Sequence, residues 1–158
     1  MKILSIDPSV ANRTGWALYN TETNGFSWGH WELDGMNFKN RCRDLAHRMN
    51  DEHAIDGWEE LVAEWPMYYN NESGRIAAQQ GYTINLAGLV MHTVGWFQLP
   101  AAKVHLYTAP QWKGSVPKAV TQRRFFKMFD VDPRHLSHDT IDAIMMLVFH
   151  LRQKGVMS

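Results

Sequence analysis

Three short strand-like segments within the first 33 residues constrain the fold most strongly. Apolar runs over 2–6, 14–19 and 26–33 are separated by polar loops, and Asn24-Gly25 in the second loop is a typical hairpin turn. Short connections of this kind join antiparallel strands, whereas parallel strands need a long crossover. The sequence therefore predicts that the chain begins with three antiparallel strands.

The rest of the chain alternates between helical and strand patterns. The predicted elements are a helix over 39–56, a strand over 61–63, one long helix over 71–97, a strand over 103–107, and helices over 117–129 and 137–154. The order predicts an α/β fold, a mixed five-stranded sheet of three antiparallel strands followed by parallel additions, with helices on both faces. A length of 158 residues fits a single domain over 1–158.

The charges are unevenly distributed along the chain. Sixteen Lys and Arg residues balance 16 Asp and Glu residues, so the formal net charge is zero. Residues 1–72 hold twelve acidic and six basic residues, whereas 73–129 hold seven basic residues and no acidic one. A buried helix and strand would explain the lack of charge over 76–102, but not the five bases from Lys113 to Lys127. Neutrality therefore does not exclude an anionic partner such as DNA.

Composition excludes several other classes. Hydrophobic residues at 45% and charged residues at 20% are values of a globular chain. The single cysteine, Cys42, excludes a disulfide framework and a multi-cysteine zinc site, and it fits a reducing cytoplasm. The uncharged stretch 76–102 contains Gln79, Asn85 and His92, so we expect a buried helix rather than a membrane span. The opening apolar run is too short for a signal-peptide core.

Four carboxylates occupy positions that suggest one site. Asp7 follows the first strand, Glu64 follows the fourth, and Asp139 and Asp142 lie three residues apart at the start of the last helix, on one helix face. If the first and fourth strands are neighbours, all four carboxylates converge. Their repulsion then requires a counter-charge, and Mg²⁺ or Mn²⁺ prefers such oxygen ligands. Taken singly, each acid also has a structural explanation as a turn, a strand end or a helix N-terminal residue.

Four blocks of sequence, in order, resemble the RuvC-type Holliday junction resolvases, which have the ribonuclease H-like fold of the retroviral integrase superfamily. The blocks are Ile6-Asp7-Pro8-Ser9 with Thr14-Gly15-Trp16-Ala17; Ala63-Glu64; Tyr107-Thr108-Ala109-Pro110-Gln111-Trp112-Lys113 with Gly114-Ser115 and Lys118; and His138-Asp139-Thr140-Ile141-Asp142-Ala143. The likeness covers nearly the whole chain. The small size and loose motif match favour a phage or divergent bacterial member, which would act in the cytoplasm of the bacterial or infected host cell.

The resemblance implies a homodimeric endonuclease that cuts four-way DNA junctions by paired symmetric nicks, leaving 5′-phosphate and 3′-hydroxyl ends. It implies that Asp7, Glu64, Asp139 and Asp142 hold two Mg²⁺ ions, for which Mn²⁺ can substitute. Lys118, and with it Lys113, would contact the scissile phosphate as a catalytic group.

Further DNA contacts are expected from basic and aromatic residues. Arg75, Arg123 and Arg124 belong to the acid-free stretch and are candidates for phosphate contacts. Met67 stands where the family has a base-unstacking aromatic residue, so Tyr68 or Tyr69 would take that role, or would simply pack in the loop.

Two further features leave alternatives open. His138, next to Asp139, is a possible accessory ligand or proton carrier, or a capping or solvent-exposed residue. Glycines at 74, 81, 88 and 95 recur every seven residues along 71–97, and this stripe serves either packing within the chain or a twofold dimer contact.

Other functions remain in competition with a junction resolvase. A broader nuclease would also cut forks, flaps and three-way junctions. A non-catalytic junction-binding module would not need all four acids. An ATP-binding protein of the actin and sugar-kinase type also begins with a strand and an aspartate, but it needs two such domains.

Overall fold

The computed structural model describes residues 1–9, 13–33, 37–52 and 55–157. Its elements, in chain order, are β1 (Lys2–Asp7), β2 (Arg13–Asn20), β3 (Gly25–Glu32), α1 (Phe38–Asp51), β4 (Glu60–Glu64), α2 (Glu72–Gln79), α3 (Tyr82–Trp96), a 3₁₀ turn (Ala101–Lys103), β5 (Val104–Tyr107), α4 (Ala109–Trp112), α5 (Lys118–Phe129), a second 3₁₀ turn (Pro133–His135) and α6 (His138–Gln153).

The five strands form one mixed sheet in the order β3-β2-β1-β4-β5. β1 pairs antiparallel with β2, and β2 pairs antiparallel with β3. β4 and β5 are parallel additions, since β4 runs parallel to β1 and β5 runs parallel to β4. This topology confirms the predicted ribonuclease H-like sheet.

Alternate residues of the strands face two separate hydrophobic cores. On one face, Leu4 and Ile6 of β1 and Leu61 of β4 pack against buried residues of α1 and α3, including Leu45 and Leu89. On the other face, side chains such as Ile3 and Val62 pack against α5 and α6. Because side chains alternate along a strand, this division places helices on both faces of the sheet, as predicted.

The last helix, α6, lies directly against the antiparallel part of the sheet. A Cβ atom built on Gly15 of β2 would overlap the backbone carbonyl of Asp139, so a glycine is needed at this contact. The Thr140 hydroxyl donates to the Gly29 carbonyl of β3 at 3.0 Å, and the Ser137 hydroxyl caps the helix by accepting from the Thr140 amide at 3.1 Å. These contacts hold the first turn of α6 over β2 and β3.

The prediction of one long helix over 71–97 is wrong. Gly81 has a positive φ of 76°, which ends α2 and separates it from α3. The predicted stripe is therefore divided. A Cβ on Gly74 would overlap the Tyr69 carbonyl, and one on Gly88 would lie 2.7 Å from the Phe38 ring of α1. At these two glycines, contacts within the chain explain the absence of a side chain.

One helix boundary and one short helix also differ from the prediction. The helix predicted over 39–56 ends at Asp51, and residues 53–54 lie outside the described part of the chain. The short helix α4, which follows β5, is not predicted from the sequence. Among the described residues, no helix is long and apolar enough to cross a membrane.

We expect Gly15→Ala to destabilise the fold by about 1–3 kcal/mol, the usual cost of forcing an extra methyl group into a filled space. Urea unfolding followed by circular dichroism measures this change. Gly95→Ala is the matched control, because Gly95 lies in a helix and a Cβ there meets nothing within 4 Å. The control variant should be unchanged or up to about 1 kcal/mol more stable. Equal stability of Gly15→Ala and the wild type would contradict the close contact.

Candidate active site

The sheet register brings the four predicted carboxylates to one end of the molecule. Ile6 of β1 pairs with Ala63 of β4, so Asp7 and Glu64 follow side by side on neighbouring parallel strands. On its other side Asp7 pairs with Gly15 of β2, against which the Asp139 backbone packs. Asp142 lies one helical turn further along α6, on the same face.

The carboxylates influence one another electrostatically. Burial, followed by the charges of Glu64, Asp142 and Asp139, raises the pKa of Asp7 well above its usual value. Burial also raises the pKa of Glu64, and burial together with Asp142 raises that of Asp139. Burial and mutual repulsion therefore destabilise the ionised forms of these carboxylates at neutral pH. A cation bound among them would reduce this destabilisation.

Two residues of the segment after β5 donate hydrogen bonds to members of the carboxylate cluster. The Trp112 indole Nε1–H donates to Glu64 Oε2 at 2.9 Å, and the Lys113 ammonium donates to Asp142 Oδ2 at 2.9 Å. Burial lowers the pKa of Lys113, but the hydrogen bond to Asp142 and the charges of Glu64 and Asp7 outweigh burial, so the pKa is raised. Lys113 therefore remains protonated and supplies a positive charge inside the cluster.

The donor set fits a hard divalent cation. All four candidate ligands are carboxylates, and oxygen ligands are those that Mg²⁺ and Mn²⁺ prefer. Three potential ligand atoms within 4.8 Å of one another occur, among the described residues, at a different place, Glu60, His105 and His150. Among the described residues, no three of the four carboxylates have ligand atoms within that distance of one another.

Lys118 and His138 border the site. Lys118 is the exposed first residue of α5, and its charge lowers the pKa of Asp139 in opposition to burial. His138 is also exposed, and its Nδ1 lies 3.1 Å from the Gln122 amide nitrogen of α5. The described geometry thus pairs His138 with α5, and its accessory role stays a prediction.

The remaining predicted DNA contacts are exposed. Arg123 and Arg124 lie on α5 beyond Lys118, and Arg75 lies on α2. Tyr68 and Tyr69 are 55% and 45% exposed in the segment that follows Glu64, so both rings are accessible to a partner.

Sequence reasoning misses two partners within the site. Trp112 and Lys113 belong to the block that resembles the family, but the sequence assigns no role to Trp112 and places Lys113 at a phosphate rather than at Asp142. Their adjacent positions after β5, the strand next to β4, are the signal that could have placed them beside Glu64.

Comparison with solved structures identifies the fold of this chain. T. thermophilus RuvC, in complex with a Holliday junction substrate, aligns over 99% of this chain and 98% of its own, with a TM-score of 0.66 and 15% identity. The chain shares the RuvC fold. At 15% identity the likeness to RuvC extends to the fold and no further.

Neither the family models nor the curated proteins contain a match to this chain.

We expect Asp7→Asn to raise stability in the absence of divalent cations. A raised pKa means that ionised Asp7 costs folding free energy at pH 7, so removing its charge should stabilise the fold. Thermal unfolding with chelator, and then with Mg²⁺, tests this expectation.

Mg²⁺ should stabilise the wild type and have a much smaller effect on Asp7→Asn. Asp56→Asn, which changes an exposed carboxylate, is the matched control and should respond to Mg²⁺ as the wild type does. A loss of stability in Asp7→Asn without metal would show that the carboxylate group is not electrostatically strained.

Proposed function

We propose that this protein is a metal-dependent endonuclease that resolves four-way DNA junctions by paired symmetric nicks. The observation that carries the proposal is the convergence of Asp7, Glu64, Asp139 and Asp142 at one end of a sheet with the RuvC fold. The matching structure of T. thermophilus RuvC is a complex with a Holliday junction substrate, which supports a branched DNA as the substrate here.

The four carboxylates would hold two Mg²⁺ ions, for which Mn²⁺ would substitute. Bound divalent ions supply Lewis acidity, which lowers the pKa of water and polarises a phosphodiester. Trp112 orients Glu64 through its indole N–H, so that one carboxylate oxygen stays directed away from the ring. Lys113 offsets part of the negative charge of the cluster and, together with Lys118, would stabilise negative charge that develops on the phosphate.

The basic side chains would fix the backbone of the DNA. Lys118, Arg123 and Arg124 follow one another along α5, which begins beside Asp139. α5 contains no acidic residue, so its charge is uncompensated along its own length. A strand that enters the carboxylate site would therefore pass along α5, and Arg75 on α2 would contact the backbone elsewhere.

Tyr68 or Tyr69 would stack on bases at the crossover. Both rings are exposed, and they follow the strand that ends in Glu64. An exposed aromatic ring beside the cutting site can occupy the space of an unstacked base, a device that opens branched DNA in other proteins.

We expect Mg²⁺-dependent paired nicks when the protein is incubated with a labelled four-way junction of mobile core. Cleavage of the four labelled strands, resolved on a denaturing gel, measures the symmetry of the cuts, and ligation of the products tests for 5′-phosphate and 3′-hydroxyl ends. Asp7→Asn should lose cleavage by at least about 10³-fold while still shifting the junction in a binding gel, and Asp56→Asn should cleave as the wild type does.

A fork, a 5′-flap, a three-way junction and a linear duplex belong in the same experiment. Equal cleavage of these substrates would make the protein a broader branched-DNA nuclease. Junction binding without cleavage in Mg²⁺ or Mn²⁺ would make it a junction-binding module. Absence of both binding and cleavage would overturn the proposal.

The paired cuts require two copies of the site, which favours a homodimer. The described part of one chain presents one group of four carboxylates, whereas a four-way junction offers two symmetry-related strands. α3 carries an outward apolar row in which Ile84 and Met91, seven residues apart, are 74% and 50% exposed. This row, rather than Gly88, would meet its equivalent in a second copy.

We expect Ile84→Glu combined with Met91→Glu to give monomers, measured by light scattering coupled to size exclusion, and to abolish the pairing of nicks while leaving single nicks. Gln79→Glu, an exposed polar position of α2, is the control and should remain dimeric. A persistent dimer in the double variant would place the interface elsewhere.

A further inference from the structure

A second group of metal-ligating side chains lies at the opposite end of the sheet from the carboxylate site. Glu60 is the first residue of β4, at the other end of the strand from Glu64. His105 lies in β5, and His150 lies near the end of α6, so both ends of that helix carry such residues. Along β4 the two sites are about 13 Å apart, at about 3.3 Å per residue.

The spacing within this group is close to that of a zinc site. His105 Nε2 lies 3.5 Å and His150 Nε2 lies 3.9 Å from Glu60 Oε2, and the three ligand atoms all lie within 4.8 Å of one another. Ligand atoms around tetrahedral zinc are about 3.4 Å apart, since the metal–ligand bonds are about 2.0–2.1 Å long. A small contraction would therefore complete three of four ligand positions.

Both imidazoles direct a buried nitrogen toward Glu60 at a distance too long for a good hydrogen bond. Nε2 of His105 and Nε2 of His150 are inaccessible to solvent and meet no other polar atom at hydrogen-bond distance, and the His150 side chain is 2% exposed. The other nitrogen of His150 lies 2.9 Å from the Tyr107 hydroxyl. A metal ion on Nε2 requires the tautomer in which Nδ1–H donates to the Tyr107 oxygen, which leaves the Nε2 lone pair directed toward Glu60.

The charge of these groups suits a metal at neutral pH. Burial lowers the pKa of both histidines, that of His150 to about 4 with His105 adding to the effect, so both rings are neutral. Burial would raise the pKa of Glu60, but hydrogen bonds from Lys154 and Lys103 lower it to about 2, so its carboxylate is ionised. Neutral imidazoles and an ionised carboxylate are the forms that bind metal.

Lys154 is the group with which a metal would compete. Its ammonium lies 2.6 Å from Glu60 Oε2, the oxygen that faces both histidines, whereas Lys103 lies 3.0 Å from Oε1. The Lys154 side chain is one-third exposed and follows the last turn of α6, so it can leave for solvent while Lys103 stays on Oε1.

We propose that Glu60, His105 and His150 form a second metal site, selective for a borderline-soft divalent ion such as Zn²⁺ and distinct from the carboxylate centre. Two nitrogen ligands with one oxygen ligand favour Zn²⁺ over Mg²⁺, the reverse of an all-carboxylate site. The bound ion displaces Lys154, joins β4, β5 and the end of α6, and leaves a fourth position open to water.

The test is metal binding to the full chain in excess Mg²⁺, which would occupy the proposed carboxylate centre. We expect one equivalent of Zn²⁺ to bind by calorimetry, and one equivalent of Co²⁺ to give the visible absorption of a four- or five-coordinate nitrogen-ligated site. His105→Gln should weaken binding at least about tenfold. Lys154→Met should strengthen it, because the competing ammonium is removed.

His92→Gln is the matched control, since His92 also has a buried, unpaired Nε2 but lies outside this group, and it should bind Zn²⁺ as the wild type does. Absence of Zn²⁺ binding in excess Mg²⁺ would overturn the proposal. So would binding that is unaffected by His105→Gln, or binding weakened by Lys154→Met. If His105→Gln does not fold, the wild-type stoichiometry and the Lys154→Met titration decide. No DNA is involved, so the result is independent of nuclease activity.

Discussion

The repulsion among four carboxylates at one end of the sheet is the constraint on which the proposed site depends. Holding Asp7 and Glu64 side by side on β1 and β4 costs folding free energy, because both carboxylates are buried and repel each other. The N-terminal part of α6 adds two more acids, Asp139 and Asp142. Lys113 offsets part of this charge through Asp142. A cation bound among the carboxylates would relieve the rest of this repulsion.

The scaffold serves this constraint through close backbone contacts. Because Gly15 has no side chain, the first turn of α6 can approach β2, which is the strand that pairs with Asp7. The Ser137 cap and the Thr140 hydroxyl then fix the angle of the helix. The basic helix α5 begins beside Asp139, and the charge of its first residue, Lys118, acts on that carboxylate. The opposite end of the same sheet holds a different donor set, with two imidazoles and one carboxylate.

The sequence predicts the sheet well because its signals are local. Asn24-Gly25 predicts the β2–β3 hairpin. The acids that end β1 and β4, Asp7 and Glu64, indicate which end of the sheet carries the candidate site. The prediction of a long helix over 71–97 is wrong because apolar content and heptad spacing do not reveal the positive φ of Gly81. Contacts between distant segments are also missed. Trp112 reaches Glu64 over 48 positions, and Glu60 reaches Lys154 over 94, and neither pair leaves a pattern in one sequence.

Metal occupancy of the carboxylate end is the property on which the proposed nuclease activity depends. A crystal structure with Mn²⁺, using its anomalous scattering, measures that occupancy directly. We expect anomalous peaks bounded by Asp7, Glu64, Asp139 and Asp142, with the Lys113 ammonium moved away from Asp142. Crystals soaked in Mn²⁺ that show no peak among these four side chains, with Lys113 still paired to Asp142, would contradict a metal-dependent site at this end of the sheet.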